Sequence, residues 1–242
     1  VVTVSDNRLA RIWNAEAGQL VGEPIAHERV VFSPEFSPDS QRLFTAINSD
    51  SIGLWDSNTG QSIGIPLTHR FSINGVRFNP NGRTLVTASD DCTAQIWDVQ
   101  NGHPVGDSLR HGGSVSSAEF RGDGRRVVTA SLDGTVRIWD AETGQQIGEP
   151  LRHDDKVFHA RFDANGRRII SLDAEGSARI WATTTGQQLG EAFTHKSKIR
   201  SAESSGDGRY LITRSQDSIR TWNMPAPAWD DPEWLKLSVE YR

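Results

Sequence analysis

The sequence contains a single cysteine, Cys92, and no hydrophobic run long enough to span a membrane. One thiol can form neither an intrachain disulfide nor a cysteine-based metal site, and it suits a reducing compartment, so we expect a cytoplasmic protein. An excess of positive charge is also absent, since 26 Lys and Arg residues face 31 Asp and Glu residues and the net charge is -5. A surface that binds nucleic acid or an acidic membrane needs a basic footprint, so we expect neither partner.

What the chain does contain is an internal repeat that runs through most of its 242 residues. Six tryptophans recur at intervals of 42 or 41 residues, and five histidines recur at intervals of 42. The positions are Trp13, Trp55, Trp97, Trp139, Trp181 and Trp222, and His27, His69, His111, His153 and His195. A fixed period of this length predicts one tandem-repeat domain. Because the chain starts at Val1 within a repeat, we expect it to be a piece of a longer protein.

Residues 111–152 show how each repeat folds. Segment 115–120 is short and mostly alternating, 126–131 and 135–140 are further predicted strands, and 146–151, with its Gly and Pro, is a fourth and weaker one; turns with Asp or Gly separate them. Four antiparallel strands in about 42 residues, repeated in tandem, are typical of a β-propeller blade. We therefore predict an all-β propeller with about six blades visible. The repeats are 1–26, 27–68, 69–110, 111–152, 153–194 and 195–224, followed by a Pro-Ala linker and a short helix within 225–242.

Two segments carry a family resemblance, 131–140 (SLDGTVRIWD) and 89–98 (SDDCTAQIWD), each with a histidine 28 residues before its tryptophan. They resemble the WD-repeat family. The resemblance implies a propeller that most often has seven blades, so we expect further repeats upstream. The segment 143–151 is similar to the linkers of WD repeats in large bacterial multidomain proteins.

The recurring histidines suggest catalysis at first sight, because Asp and Ser accompany them. A nucleophilic triad is needed once, however, whereas this set recurs around a ring, so we predict no catalytic residue and no metal site. The family resemblance implies instead a buried chain from Asp through His and Ser to the Trp indole. Three such tetrads are complete: His69, Ser89, Asp91 and Trp97; His111, Ser131, Asp133 and Trp139; and His195, Ser215, Asp217 and Trp222.

Two repeats depart from the tetrad. His153 has Glu175 in the Asp register and Asp173 in the Ser register, and His27 has Ser49 and Ile47 there. We expect both blades to be looser, with weaker protection from amide exchange, because a half-satisfied buried network stabilises less.

One column of the inner strands alternates in charge from repeat to repeat: Glu35, Arg77, Glu119, Arg161 and Glu203. We predict a belt of ion pairs between adjacent blades, which would discriminate against slipped neighbours. The alternative is five independent, solvated side chains.

The function predicted from these observations is a non-enzymatic scaffold that binds a protein or peptide and needs no cofactor. The resemblance implies that partners bind the face formed by the His-bearing loops, where the repeats differ from one another. Phe71 is the best anchor there, and the cations would favour an acidic or phosphorylated segment; ordinary surface variation is the alternative. The predicted binding residues are Arg29, Arg70, Phe71, Lys156, Lys196 and Lys198, on a domain expected to be monomeric. A second hypothesis makes the propeller the regulatory arm of a larger bacterial signalling enzyme, such as a kinase or NTPase.

Overall fold

A computed structural model describes residues 1–27, 34–46 and 50–225. These residues form six antiparallel sheets and contain no helix. The first sheet comprises β1 (Val2–Ser5), β2 (Leu9–Trp13) and β3 (Leu20–Ala26). The second comprises β4 (Glu35–Phe36), β5 (Arg42–Ala46), β6 (Ser51–Asp56) and β7 (Ser62–Thr68). The third comprises β8 (Ile73–Phe78), β9 (Thr84–Ser89), β10 (Thr93–Asp98) and β11 (Pro104–Arg110).

The remaining three sheets continue the pattern. The fourth comprises β12 (Val115–Phe120), β13 (Arg126–Ser131), β14 (Thr135–Asp140) and β15 (Gln146–Arg152). The fifth comprises β16 (Val157–Phe162), β17 (Arg168–Asp173) and β18 (Ala178–Ala182). The sixth comprises β19 (Ile199–Ser204), β20 (Tyr210–Ser215) and β21 (Ile219–Asn223). The four strands predicted within 111–152 are confirmed, the last of them one residue longer than expected.

Each sheet is a meander in chain order, which is the arrangement of propeller blades. In the fifth sheet the expected fourth strand is reduced to two isolated bridges, Ala178 to Phe193 and Trp181 to Gln188. The helix and linker predicted within 225–242 lie outside the described residues, apart from Pro225. In the described ranges, no helix could cross a membrane.

The hydrophobic core lies between successive sheets rather than within any one of them. Val128 and Val136 of the fourth sheet pack in one cluster with Phe162, Ile169 and Trp181 of the fifth. Four equivalent clusters join the other neighbouring pairs. The apolar residues on both faces of β13 are buried for this reason, since the fourth sheet has the third sheet on one side and the fifth on the other.

Polar contacts also join neighbouring sheets along their inner strands. The Ser116 hydroxyl donates to the carbonyl of Val157 over 2.7 Å, and the backbone N–H of Ala160 donates to Oγ of Ser117 over 3.1 Å. These bonds fix β12 against β16, so they hold the loops that precede the two strands at a defined spacing.

The predicted charge belt is present where neighbouring side chains meet. Arg77 Nη1 lies 3.1 Å from Glu35 Oε2, and Arg161 lies 3.9 Å from Glu119 and 3.2 Å from Glu203. Burial raises the pKa of Glu119, and the charges of Arg161 and Arg77 oppose that shift. Three of the four neighbouring pairs are thus in contact, so the alternation is a feature of sheet-to-sheet packing.

Candidate interaction face

The imidazole of His111 belongs to a buried chain of hydrogen bonds beneath the loop that carries it. Its Nδ1 lies 3.2 Å from Oδ2 of Asp133, and its Nε2 lies 2.7 Å from Oγ1 of Thr129. The same hydroxyl oxygen accepts a 2.8 Å hydrogen bond from Nε1 of Trp139. A neutral imidazole that donates from Nδ1 and accepts the Thr129 O–H at Nε2 satisfies all four groups.

The electrostatics of this pair agree with a neutral ring. Burial lowers the pKa of His111 to about 4, against the opposing effect of the Asp133 carboxylate. Burial alone would raise the pKa of Asp133, but hydrogen bonds from the Thr135 hydroxyl and the Gly112 N–H outweigh it, and the pKa falls to about 2. At neutral pH the chain therefore joins a carboxylate to an uncharged imidazole whose two nitrogens are both engaged.

The hydroxyl in this chain is that of Thr129, and the predicted role of Ser131 is wrong. Ser131 Oγ donates to the carbonyl of Gly113 and accepts from the backbone N–H of Asp133, both over 3.1 Å. Alternation places Thr129 and Ser131 on the same face of β13, so their positions along the strand decide: Ser131 ends the strand beside the loop, and Thr129, about 7 Å back along the strand, lies beside the imidazole and the indole. Ser131 instead fixes the loop to the turn.

The third sheet repeats the arrangement. His69 Nδ1 lies 2.9 Å from Asp91, and Thr87 bridges the imidazole and the Trp97 indole over 2.6 and 2.8 Å. The predicted place of Ser89 between imidazole and indole is wrong in this sheet too, since its hydroxyl donates to the carbonyl of a loop residue 18 positions earlier.

The chain around His153 is complete, contrary to the prediction. Ser171 Oγ lies 2.8 Å from His153 Nε2 and accepts a 2.8 Å hydrogen bond from Trp181. Asp173 Oδ2 lies 3.5 Å from Nδ1, so a carboxylate two positions earlier than Glu175 takes the acidic place. The expected weakness of this blade loses its basis.

In the last sheet the prediction is wrong for another reason, because serine hydroxyls and not a carboxylate contact Nδ1 of the histidine. His195 Nδ1 lies 3.1 Å from Ser215 Oγ and 3.0 Å from Ser218 Oγ, while Nε2 lies 2.7 Å from Thr213. The predicted role of Asp217 is wrong, because its side chain is exposed and takes no part among the described contacts. With one residue fewer before Trp222, the turn brings a serine to the imidazole.

At His27 the described part of the chain of hydrogen bonds contains no carboxylate. The Nδ1 atom of His27 lies 3.1 Å from the carbonyl of Ile25, and Thr45 Oγ1 bridges Nε2 and the Trp55 indole at 2.7 Å each. Ser49 and Ile47, the residues expected to weaken it, lie outside the described residues.

In the loop that follows His69, hydrogen bonds fix the backbone of Arg70 and Phe71, whereas the side chain of Phe71 is exposed. The N–H of Arg70 donates to Asp91 over 3.2 Å, and the carbonyl of Phe71 accepts from Ser89 over 3.1 Å. The Phe71 side chain is nevertheless 63% exposed. The ring of Phe71 is therefore available to solvent on a loop whose backbone is already fixed.

The predicted cationic residues differ in whether their side chains have partners within the protein. Arg70, Lys156 and Lys196 are exposed, and no ion pair to their side chains occurs among the described residues. Lys198 is exposed as well, but its Nζ donates to the carbonyl of Ala174 over 2.6 Å. Arg29 lies outside the described residues.

Sequence reasoning missed Phe158, whose side chain is 52% exposed at the start of β16, two residues after Lys156. The strand bulges at this position, between the pairs Val157–Asp173 and His159–Leu172. The corresponding residues of the other repeats are Phe32, Asn74, Ser116 and Arg200, so the repeat pattern gives no consistent signal at this position.

Comparisons with known proteins agree with this architecture. The family model described as WD domain, G-beta repeat, matches residues 60–98 and 102–140, which supports a WD-repeat family. None of the curated proteins compared with the sequence matches it. Among solved structures, the chain is similar to the crystal structure of the computationally designed Ika8 protein, with a TM-score of 0.81 and 21% sequence identity over 92% of this chain and 67% of the designed one. At that identity the likeness concerns the fold alone.

Proposed function

We propose that this chain, two of whose repeats match the WD-repeat model, is a non-catalytic scaffold that binds an acidic protein segment through its His-bearing loops. The observation that carries the proposal is Phe71, exposed on a loop whose backbone is hydrogen-bonded on both sides. A partner that covers this ring gains apolar burial without the entropic cost of ordering the loop.

The preference for an acidic segment follows from the charges around the loops. Lys156 and Lys196 are exposed and unpaired among the described residues, and the contact that Lys198 makes is to a carbonyl and not to a carboxylate. The nearby carboxylate of Asp154 is neutralised by Arg179 at 2.7 Å. Carboxylates or phosphates of a partner would therefore meet uncompensated positive charge.

The histidine chains support a structural rather than a catalytic role. A general base needs a nitrogen free to take a proton from substrate. In His69, His111 and His153 both ring nitrogens already have partners inside the protein.

Selection from a random peptide library displayed on phage tests the proposal. We expect enrichment of peptides that combine acidic residues with an apolar one, and a loss of binding of about tenfold or more for Phe71→Ala and for the double variant Lys156→Glu, Lys196→Glu.

Matched controls change the same chemistry elsewhere. Leu20→Ala removes an exposed apolar side chain from an outer strand, and Arg83→Glu reverses an exposed charge in a turn at the other end of the strands. If the controls weaken binding as much as the loop variants do, or if no peptide is enriched, the proposed face is wrong.

The remaining parts of the proposal concern the class of protein that contains the chain, its oligomeric state and its location in the cell. Segments 143–151 and 185–193 share the pattern Thr-Gly-Gln-Gln-x-Gly-Glu, which supports the bacterial multidomain class of WD repeats and, with it, a regulatory arm of a signalling enzyme as the second candidate. The six sheets would be blades of one propeller that acts as a monomer in the cytoplasm. Sedimentation equilibrium tests the monomeric state, and an acidic partner that changes the activity of a linked kinase or NTPase would favour the second candidate.

A further inference from the structure

Phe158 occupies a position whose side chain joins neighbouring inner strands elsewhere in the protein. It is the second residue of β16, as Asn74 is of β8 and Ser116 is of β12. The Asn74 amide donates to the carbonyl of Val115 over 3.0 Å, and the Ser116 hydroxyl donates to the carbonyl of Val157 over 2.7 Å. Each acceptor is the first residue of the next inner strand. Phenylalanine has no donor, so its side chain cannot make the equivalent bond from the fifth sheet to the sixth.

The register of the neighbouring turns shows which residues accompany this position in the fifth sheet. In the third sheet the Asn74 amide also donates to Asp90 over 2.8 Å and to Ser114 over 3.3 Å. The equivalent places beside the fifth sheet are taken by Ala174 and Lys198, and Nζ of Lys198 donates to the carbonyl of Ala174. A methyl group and an ammonium group therefore replace a carboxylate and a hydroxyl where the fifth sheet meets the sixth.

The exposure of the Phe158 ring is not caused by a missing sheet. The fifth sheet packs against the fourth on one face and against the sixth on the other, through two hydrophobic clusters. The side chain is nevertheless 52% exposed. The third, fourth and sixth sheets have a polar residue in this place, so the packing of sheets does not require an aromatic one. A partner that covered the ring would gain the burial of its apolar surface.

The loop of the fourth sheet separates Phe158 from Phe71. Phe71 lies two residues before β8, and hydrogen bonds join β8 to β12 and β12 to β16. Both aromatic residues are thus at the same end of three neighbouring inner strands. The loop between them contains Gly112, Gly113 and Ser114, so it carries no side chain longer than a hydroxymethyl group. An extended chain that crosses this loop meets no large side chain between the two rings.

Positive charge lies on both sides of the Phe158 ring. Lys156, two residues earlier, is exposed and has no ion pair among the described residues, and the ammonium group of Lys198 contacts a carbonyl. Asp155 and Glu175 are exposed carboxylates at this end of the fifth sheet. An acidic residue of a partner is therefore expected beside the lysines and not along the whole of its length.

We propose that Phe158 is a second apolar contact for the segment that covers Phe71, an inference that rests on the proposed function. The partner is then an extended segment of another protein with two apolar residues, one for each ring, and an acidic residue beside the one that covers Phe158. It crosses the fourth sheet over Gly112 and Gly113. Two apolar contacts on separate sheets fix the spacing of the partner's residues, so a segment with a single apolar residue binds less tightly.

The variant Phe158→Asn tests the inference, because it gives the fifth sheet the residue that the third sheet has in this place. The probe is a labelled peptide enriched from the phage library by the unchanged protein, together with two forms in which one of its apolar residues is alanine. In fluorescence anisotropy, Phe158→Asn should weaken binding of the parent peptide by about tenfold or more. It should change the affinity by less than about twofold for the form that lacks the residue covering Phe158, and still weaken binding of the other form.

Tyr210→Asn is the matched control. It removes a side chain that is 42% exposed from the sixth sheet, at the opposite end of the strands, and should leave the affinity unchanged. Urea unfolding checks that the variants keep their fold, and Phe158→Ser repeats the test with the residue of the fourth sheet.

The outcomes separate this inference from the proposed function. If Phe71→Ala weakens binding but Phe158→Asn does not, or if the enriched peptides carry a single apolar residue, the second contact is wrong and the proposed function stands. If Tyr210→Asn weakens binding as much as Phe158→Asn does, the second contact is wrong as well. If no peptide is enriched, or neither loop variant changes the affinity, both proposals are overturned.

Discussion

Replacing Thr129 with valine tests whether this hydroxyl, and not that of Ser131, links the buried histidine to the tryptophan. Valine keeps the volume and the branched shape of threonine but removes the oxygen at 2.7 Å from His111 Nε2 and 2.8 Å from Trp139 Nε1. Two buried polar groups would lose their partner. Each costs about 1–3 kcal/mol, so we expect a loss of about 2–4 kcal/mol in the free energy of unfolding.

The assay is urea unfolding followed by tryptophan fluorescence and circular dichroism, with thermal unfolding as a second measure. A loss of this size lowers the midpoint temperature by about 5–15 °C in a domain of this length. Ser131→Ala is the matched control. It removes one hydrogen bond to a carbonyl and one from an N–H at the loop, so it should cost about 1–2 kcal/mol.

A double-mutant cycle with Trp139→Phe identifies the contact itself. The hydrogen bond between the indole and the hydroxyl is lost in both single variants, so their effects should overlap by about 1 kcal/mol or more. Additivity within about 0.5 kcal/mol, or a larger loss in Ser131→Ala than in Thr129→Val, would refute the assignment of the hydroxyl.

Three further predictions follow from the packing between sheets. Gly124→Ala should lower the free energy of unfolding in urea by about 2–4 kcal/mol, because φ is +72° and an added Cβ would overlap Oδ1 of Asn79, which follows β8 of the neighbouring sheet. The control is Gly122→Ala in the same turn, where the added Cβ meets open space, so the free energy of unfolding should change by no more than about 0.5 kcal/mol. Burial, aided by nearby arginines, lowers the pKa of His159 to about 4, so the unfolded chain binds this proton more tightly and stability should fall as pH drops from about 6.5 to 4. His159→Gln should remove up to about 3 kcal/mol of that fall while leaving stability at pH 8 unchanged; equal pH profiles would contradict it. Arg161→Glu places a third carboxylate between its two acidic neighbours and should cost about 1–2 kcal/mol, a loss that shrinks in about 1 M NaCl; a loss that salt does not change would argue against the charge belt.

Most of the fold could be predicted from the period of the repeat. Tryptophans and histidines at a constant spacing, with Asp-Gly turns between β-branched segments, predicted the strands of residues 111–152 almost to the residue, because local turn chemistry and alternation set strand limits. The ion pairs between inner strands could also be predicted from the sequence, because equivalent strands of successive repeats become neighbours and the residue before the Phe in these strands alternates in charge. The predicted weakness at His153 failed because the hydroxyl was assigned to the residue 20 positions after the histidine. Ser171 lies 18 positions after it, in the register of Thr129, and Asp173 supplies the carboxylate.

The candidate sites were less accessible to sequence reasoning. Phe71 stood out as an aromatic among polar neighbours, and the structure shows how its loop is fixed. Ile219 did not stand out, because it occupies a strand position that holds a buried apolar residue in the fourth sheet, and Phe158 did not, because its position varies between polar and aromatic residues from repeat to repeat. Exposure at those two positions depends on a bulge in β16 and on one face of the sixth sheet, against which no further sheet packs among the described residues.

The amino-acid order alone determined the repeat length, the strand pattern and the recurrence that argues against catalysis, because these depend on spacing and on the chemistry of single side chains. Only the tertiary structure decided which hydroxyl joins histidine to tryptophan and which apolar residues lack a covering neighbour. Both depend on the side chains that meet between strands and between sheets, and those distances are set by packing across repeats.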